Sequence, residues 1–229
     1  MGLYSIIWDF DGTLLPHDPY DSEQSLMLYK LNEAGDNVPV ILRGIARMMI
    51  YADNKEFLRK AFKRFYVWFM KGTHVSVLDR ISERLAAKIS HVDRQTILEL
   101  KRKNYSMLVL SCGTADLSER VLKMAGLEDC FEIIAGNRFT FENNRISGMT
   151  YDMNHPEDKR TFLQNNAISP EHTIAVGDGY TDIPMLDWAR DAIVMDRSGR
   201  KKKQFRNKNY RFLSSIPDVL EFIRTTNET

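Results

Sequence analysis

The sequence predicts an α/β fold built on a parallel sheet with helices on both of its faces. Short, almost wholly apolar runs recur along the chain, and each ends at a small or acidic residue. Amphipathic helical segments follow most of these runs. Continuous apolar runs indicate strands that are buried on both faces, and alternation of strand with helix is typical of a Rossmann-like sheet. The predicted strands are Leu3–Trp8, Met107–Leu110, Thr173–Val176 and Ala192–Met195, and the predicted helices are Ala115–Ala125, Lys159–Asn165, Ile183–Ala189 and Pro217–Arg224.

Between the first two predicted strands this alternation stops, and four consecutive helices are predicted instead. A stretch this long and apolar is more than a crossover connection, so it indicates an inserted helical cap domain over residues 15–90. Residues 1–14 and 91–229 would then form the core. The cap helices are predicted at Ser22–Asn32, Pro39–Tyr51, Lys55–Lys71 and Val75–Lys88.

The third cap helix is amphipathic, with an aromatic face and a basic face. Packing within a small helical bundle is favoured over binding to a membrane or to nucleic acid. The apolar face would carry Phe57, Leu58, Ala61, Phe62, Phe65, Tyr66 and Phe69, and the polar face Lys55, Arg59, Lys60, Lys63 and Arg64.

Two further segments have a distinct pattern. Residues 138–149 alternate around Asn143-Asn144, which predicts a hairpin at a sheet edge. Residues 197–211 hold eight basic residues and no acid, with Phe205 and Tyr210 among them. A solvated helix next to the last strand is favoured there over a patch for nucleic acid or acidic lipid.

Composition excludes several broad classes of function. Lys and Arg number 32 against 31 Asp and Glu, so the formal charge of +1 gives no general attraction to nucleic acid or membranes. Two cysteines in 229 residues argue against a disulfide framework. The sequence shows no export signal, and Phe65–Met70 is its longest apolar run, so we expect a cytoplasmic location and no membrane partner. We also expect a monomer or homodimer with no nucleic-acid partner.

The first chemical motif is a pair of carboxylates, Asp9 and Asp11, that directly follows a predicted buried strand. Charge at such a place is costly unless a cation such as Mg²⁺ balances it. A calcium EF-hand loop begins in a similar way, but Thr13 and Leu14 stand where its later ligand and glycine belong. Taken alone, the pair is equally compatible with acidic turn residues.

A second acidic strand end supports the metal hypothesis. Asp178 lies between Gly177 and Gly179 after another apolar run, and Asp182 follows four residues later. Two acidic strand ends on one edge of a sheet can share a metal ion. A dinucleotide-binding glycine fingerprint fails here, because Asp182 occupies the position of the third glycine.

Groups that bind anions are predicted at two further places. Ser111, Cys112 and Gly113 lead from a strand into a helix, where a hydroxyl and backbone N–H groups can hold a phosphate. Lys159, at the start of a helix, can add a positive charge. A cysteine-phosphatase loop fails because Ser118 stands where its arginine belongs, so Cys112 is interpreted as a buried thiol.

Taken in order, DFDGTL from Asp9, Ser111, Lys159 and GDGYTD from Gly177 resemble the four motifs of the haloacid dehalogenase superfamily. The helical insertion resembles the type 1 cap of phosphoserine phosphatases. The resemblance implies that Asp9 is the nucleophile that forms an aspartyl-phosphate. It also implies that Asp11 is the general acid and base, a residue that separates phosphatases from dehalogenases.

The same resemblance implies roles for the remaining motif residues. Mg²⁺ would be held by Asp9, the Asp11 backbone carbonyl and Asp178. Asp182 would either bind the metal directly or contact one of its ligands. Ser111 and Lys159 would bind the phosphoryl oxygens of a small-molecule phosphate ester, with Cys112 and Gly113 beside them.

Substrate choice is where the resemblance weakens. Asp18 stands where phosphoserine phosphatases carry a glutamate, and it is either a group that meets a substrate ammonium or a cap hinge. Cys112 replaces a glycine of those enzymes, and no cap arginine, Arg43 and Arg59 included, can be assigned to a substrate carboxylate. A phosphotransferase, a phosphatase for phosphoethanolamine or phosphocholine, and a non-catalytic sensor of a phosphorylated ligand are the alternatives.

Overall fold

The computed structural model describes residues 5–17, 19–33, 38–53 and 59–227, and within them one sheet of seven strands forms the centre. The strand order is β4-β3-β2-β1-β5-β6-β7, and every neighbouring pair is parallel except β3 and β4. The predicted fold class is therefore confirmed. The strands are β1 Ser5–Trp8, β2 Ser106–Thr114, β3 Ile133–Glu142, β4 Arg145–Thr150, β5 Thr173–Gly177, β6 Asp191–Met195 and β7 Arg211–Leu213.

Strand β1 lies at the centre of the sheet and is buried on both faces. Ile6 and Trp8 pack into one hydrophobic cluster, and Ile7 between them packs into a second cluster on the opposite face. Because side chains alternate along a strand, an unbroken apolar run requires cover on both faces. This explains why the strand prediction succeeded from the apolar run alone.

Helices cover both faces of the sheet. They are α1 Ser22–Asn32, α2 Val40–Asp53, α3 Arg59–Met70, α4 Ser76–Ala86, α5 His91–Arg102, α6 Ala115–Met124, α7 Pro156–Asn165, α8 Ile183–Trp188 and α9 Ile216–Asn227. Side chains cap several of them: Asp21 accepts from Gln24 N–H, Ser90 accepts from Asp93 N–H and Ser215 accepts from Asp218 N–H. None of the helices in the described ranges is long and apolar enough to cross a membrane.

Helices α1 to α4 lie between β1 and α5, as predicted. Helix α1 contacts each of the other three, and α4 packs against α6 of the core, where Arg120 pairs with Asp79. Two details of the prediction are wrong. Lys63 of α3 was placed on the polar face, but it is buried in an ion pair with Glu23 of α1, and Ala61 was placed on the packed apolar face but is exposed. Residues 55–58 of the predicted third helix lie outside the described residues.

The predicted hairpin is confirmed as β3 and β4, and β4 forms an edge of the sheet. Asn143 and Asn144 form the turn with positive φ angles of 49° and 59°, a conformation that asparagine tolerates better than most residues. The edge is covered in part, because Val75 N–H donates to Asn144 O and Gly72 N–H donates to Ile146 O. The segment between α3 and α4 therefore docks on this hairpin.

The helix predicted within residues 197–211 is wrong. The segment contains a single turn at Lys201–Lys203 and then strand β7. Phe205 is buried against Tyr180, Tyr210 and Phe212, so this segment is anchored to the core rather than solvated as a helix. Helix α5 and the parallel first half of β3 were not predicted.

Candidate active site

The carboxyl ends of the central strands bring the predicted motif residues together. Strand β1 lies between β2 and β5, so Asp9, Ser111 and Asp178 emerge at one edge of the sheet. A cavity of about 620 Å³ opens there, and its walls include these three residues and Asp11. The convergence expected from sequence is observed.

Lys159 is the buried cation that contacts Asp9 beside the cavity. Its side chain is fully buried, and its Nζ lies 2.7 Å from Asp9 Oδ1 and 2.6 Å from Asp182 Oδ1. The two carboxylates raise the pKa of Lys159 against the opposing effect of its burial. Lys159 therefore remains charged in the interior and fixes the orientation of the Asp9 carboxylate.

Asp182 organises the loop that follows β5. Its Oδ2 accepts from Asp178 N–H at 2.7 Å and Gly179 N–H at 2.9 Å, while Oδ1 accepts from Lys159. Both oxygens are therefore engaged with the protein. Of the two roles predicted for Asp182, this arrangement favours contact with the metal ligands over direct binding of the metal.

Gly12 permits the close approach of the two acidic motifs. Its φ angle is +83°, and a Cβ there would lie 2.1 Å from Asp178 Oδ2. Any side chain at this position would be strained by the backbone and would also displace the Asp178 carboxylate. Gly12 therefore allows Asp9 and Asp178 to face one site.

Carboxylate oxygens of Asp9, Asp178 and Asp182 lie within 4.8 Å of one another, close enough to surround a single ion. Burial, together with the negative charges of Asp182 and Asp178, raises the pKa of Asp9 to about 7 against the lowering effect of Lys159. Burial also raises the pKa of Asp178. These shifts indicate an excess of buried negative charge, which fits a divalent cation with oxygen ligands.

The side chain of Asp11 is turned toward the start of α1. Ser22 donates to it twice, from N–H to Oδ1 and from Oγ to Oδ2, both at 2.8 Å. Burial and the nearby charge of Asp21 raise the pKa of Asp11 well above its ordinary value. Its side chain lies outside the carboxylate cluster, so it can hold a proton beside the site.

The predicted phosphate-binding segment forms the end of β2. Ser111 Oγ accepts from Gly113 N–H at 2.9 Å, and a Cβ on Gly113 would lie 3.3 Å from Asp11 Oδ2. The Cys112 thiol is buried beside His155 O, and burial raises its pKa. A thiol with a raised pKa is a poor nucleophile, in agreement with its interpretation as a buried thiol.

Lys201 is a site residue that sequence reasoning missed. Its ammonium pairs with the Asp178 carboxylate and donates to Asp178 O at 2.6 Å. Asp196 positions it by accepting the Lys201 N–H at 2.9 Å. Its place among eight basic residues gave no signal, because only the tertiary structure separates it from its neighbours.

The wall opposite the strand ends is polar and comes from α1, α2 and α3. Glu23 pairs with Lys63 and accepts from Thr114 Oγ1 at 2.6 Å, while Asp53 Oδ2 accepts from Gln24 Nε2 at 3.0 Å. Asp21 and Arg59 also line the cavity.

Asp18, the predicted ammonium contact, lies outside the described residues. Arg43 is exposed and donates to Val38 O.

Removal of the Lys201 charge is expected to strengthen cation binding. The Lys201→Ala variant should need roughly fivefold less Mg²⁺ for half-maximal activity. The reason is that the variant removes a repulsion of about 1 kcal/mol between the Lys201 ammonium and the bound cation. A Mg²⁺ titration of turnover measures this, with the exposed neighbour Lys202→Ala as the matched control. An unchanged or higher Mg²⁺ requirement in Lys201→Ala would contradict the effect.

A mostly parallel sheet with a cavity of about 620 Å³ and clustered carboxylates at its carboxyl edge defines an α/β protein with a candidate metal centre. The family model of haloacid dehalogenase-like hydrolases matches residues 5–190. The chain therefore belongs to the haloacid dehalogenase-like hydrolases, and the predicted family is confirmed.

The chain is also similar to curated proteins, at sequence identities below 30%. The phosphoserine phosphatase of Archaeoglobus fulgidus is 29% identical over 189 residues, which are 80% of this chain and 50% of that protein. The chain thus spans about half the length of that relative. The phosphoserine phosphatase of Wolinella succinogenes is 26% identical, covering 82% of this chain and 85% of that protein. The pyrophosphatase PpaX of Oceanobacillus iheyensis is 25% identical, with 80% and 78% covered.

Solved structures share the fold. A phospho-aspartyl intermediate analogue of phosphoserine phosphatase superposes with a TM-score of 0.70 at 19% identity, covering 97% of this chain and 99% of that one. Cytosolic 5'-nucleotidase IIIB bound to cytidine superposes with a TM-score of 0.65 at 15% identity, covering 98% and 87%. At such identities the similarity establishes the fold alone.

Proposed function

We propose that the chain is a Mg²⁺-dependent phosphatase that removes the phosphoryl group from a small phosphate monoester through an aspartyl-phosphate on Asp9. The observation that carries this proposal is the contact of buried Lys159 with Asp9, which lines the cavity together with Asp178. Phosphoryl transfer depends mainly on alignment and on preorganised positive charge, and this arrangement supplies both.

The first step would be attack by an Asp9 carboxylate oxygen on phosphorus. Lys159 holds Asp9 Oδ1, so the carboxylate is presented in one orientation. The phosphorus–oxygen bond to the leaving group breaks, and Asp11 gives its proton to the departing oxygen. The raised pKa of Asp11 suits it to carry that proton near neutral pH.

The second step would be hydrolysis of the aspartyl-phosphate. Asp11, now a carboxylate, takes a proton from water as the water oxygen attacks phosphorus, and the bond to Asp9 breaks. Inorganic phosphate leaves, and both aspartates return to their starting states. Mg²⁺, held by Asp9, the Asp11 backbone carbonyl and Asp178, would supply positive charge to the phosphoryl oxygens. Ser111 and the backbone near Gly113 would bind those oxygens.

The polar wall supports a substrate that carries an ammonium group. Three carboxylates, Asp21, Glu23 and Asp53, face two cations, Arg59 and Lys63, and buried Asp53 has no partner for its Oδ1 among the described residues. A buried, unpaired carboxylate oxygen favours a donor from the ligand. Phosphoserine and phosphoethanolamine are therefore the leading substrates. Phosphocholine has no N–H on its ammonium group and would be held by charge alone, and Asp18 stays a predicted further contact.

A panel of phosphate esters tests the proposed activity. Phosphoserine, phosphoethanolamine and phosphocholine are expected to release phosphate faster than glycerol phosphate, which lacks the cation. Activity should vanish with EDTA and return with Mg²⁺. Turnover that persists after metal removal would exclude the proposed metal role, and the appearance of new esters with added alcohols would favour the phosphotransferase.

The titration of Asp53 is expected to affect stability. Burial, with the charge of Asp21, raises its pKa to about 6 from 3.8, so the folded state binds a proton that the unfolded state has lost. Stability from this group is therefore lost as pH rises from about 4 to 6, by no more than about 3 kcal/mol. Relative to the parent, Asp53→Asn should gain stability across that window.

Urea denaturation of both proteins at several pH values measures this difference. Asp129→Asn, which removes an exposed aspartate far from the cavity, is the matched control for the loss of one carboxylate. A difference between Asp53→Asn and the parent that does not change with pH would contradict the raised pKa of Asp53.

The remaining expectations are part of the same proposal. Residues 15–90 would act as a cap over a core of residues 1–14 and 91–229. A cytoplasmic location and a monomeric or homodimeric state are likewise proposed, and size-exclusion chromatography with light scattering tests the latter.

A further inference from the structure

Helix α2 presents an apolar face to solvent. Val40 and Ile41 are 84% and 80% exposed, and Met48 and Tyr51 are 60% and 67% exposed. Ile45 is exposed as well. Only Ala46, Ile50 and Asp53 of this helix are buried. The helix therefore rests on a narrow stripe and leaves a wider apolar face uncovered by the described residues.

The exposed residues form one continuous surface. At 3.6 residues per turn, Val40, Tyr51, Met48, Ile41 and Ile45 fall within an arc of about 140°. Arg43 and Arg47 lie along one border of that arc. Contiguous apolar surface with a polar border marks an interaction site more often than scattered single residues do.

The exposed charges that the structure describes on α2 and α3 have one sign. Every exposed charged residue of α2, α3 and the following Lys71 is basic, and the one acid, Asp53, is buried. Helix α3 adds Trp68, which is 56% exposed on the side that also bears Lys60 and Arg64. An apolar face with tryptophan and a basic border is complementary to an anionic lipid surface.

The same helices reach the mouth of the cavity. Asp53 ends α2, and Arg59 and Lys60 begin α3, and all three line the cavity. A contact made by the outer face of α2 would therefore lie next to the entrance of the candidate active site.

From these observations we propose that α2 and α3 form a docking surface for a membrane containing anionic phospholipid, with α2 lying in the plane of the interface. A second copy of the chain is the less favourable occupant. A symmetric contact would place the same basic residues of both copies against each other, whereas anionic headgroups would neutralise them. The proposal departs from the expectation of no membrane partner, which came from the net charge of the whole chain.

Sedimentation with lipid vesicles tests this surface. The full chain is expected to bind vesicles of phosphatidylglycerol and phosphatidylcholine, and to bind vesicles of phosphatidylcholine alone weakly. The double variant Ile41→Ser/Met48→Ser should bind about tenfold more weakly because it removes two apolar contacts. Val92→Ser is the matched control, since Val92 is 60% exposed on α5 of the core.

A variant with fewer positive charges tests the role of the basic residues in this docking surface. Arg47→Gln/Arg64→Gln should lose the preference for anionic vesicles, whereas Arg102→Gln on α5 should keep it. Circular dichroism and hydrolysis of a soluble phosphate ester, both unchanged, would show that each variant is folded.

Three results would overturn the proposal. The first is no binding of the parent to anionic vesicles at low salt, and the second is equal binding by Ile41→Ser/Met48→Ser. The third is a dimer in solution that this double variant dissociates, without vesicle binding by the parent, which would assign the surface to a second copy. None of these results depends on the proposed phosphatase activity.

Discussion

Replacement of Asp9 by asparagine is expected to lower turnover of an aryl phosphate by about four orders of magnitude or more, because the amide cannot form the covalent intermediate. The rest of the site would keep its geometry, since an asparagine oxygen can still accept from Lys159. Steady-state phosphate release measures the effect. Asp129→Asn, which removes an exposed carboxylate of the core, should retain full activity.

The same variant is expected to fold as well as the parent. Burial raises the pKa of Asp9 to about 7, so the folded protein already disfavours a charge there. The free energy of unfolding without metal should therefore change by less than about 1 kcal/mol. Substantial turnover by a folded Asp9→Asn protein would exclude Asp9 as the nucleophile.

Replacement of Lys159 by methionine is expected to give the largest loss of stability. The variant leaves two buried carboxylates, Asp9 and Asp182, without their shared cation. Removal of one partner from a buried ion pair costs about 3–5 kcal/mol, and turnover should fall by about three orders of magnitude. Urea denaturation in EDTA measures the first effect.

Two comparison variants sharpen the interpretation of Lys159→Met. Lys123→Met removes an exposed lysine of α6 and should change stability little. Lys159→Met/Asp182→Asn should recover part of the loss, because it removes one of the two unpaired carboxylates. A loss in Lys159→Met as small as that of the surface control would show that the buried network contributes little to stability.

The convergence of Asp9, Ser111 and Asp178 could be predicted because each lies at the carboxyl end of a predicted strand. Residues at the carboxyl ends of neighbouring parallel strands share an edge of the sheet, whatever their separation in sequence. Asp9 and Asp178 were therefore expected to meet, and they do. The contact of Lys159 with Asp182 could not be predicted from the sequence, because it depends on where α7 lies over the sheet.

Elements with weak apolar patterns were missed. Helix α5 buries Asp93 and Thr96 beside Ile97 and Leu100, so half of its contact face is polar and gives little periodicity. In residues 197–211 the density of basic residues suggested a solvated helix. Phe205 packs into the core there, and Lys201 turns into the site.

The polar wall formed by α1, α2 and α3 could not be predicted because its side chains pair across helices. Lys63 was assigned to a solvent face from the periodicity of α3 alone, yet Glu23 on α1 holds it in the interior. A helical wheel describes one helix, and it gives no information on which side a neighbouring helix covers. Charged residues on an amphipathic helix are therefore the least secure part of such a prediction.

The most direct test of the account uses Asp11→Asn with p-nitrophenyl phosphate. This leaving group needs no proton, so the first step should proceed, while loss of the base slows hydrolysis of the intermediate. The account predicts a burst of one equivalent of nitrophenolate and the mass gain of one phosphoryl group on the peptide containing Asp9. A phosphoryl group on another residue, or turnover without either burst or adduct, would contradict it.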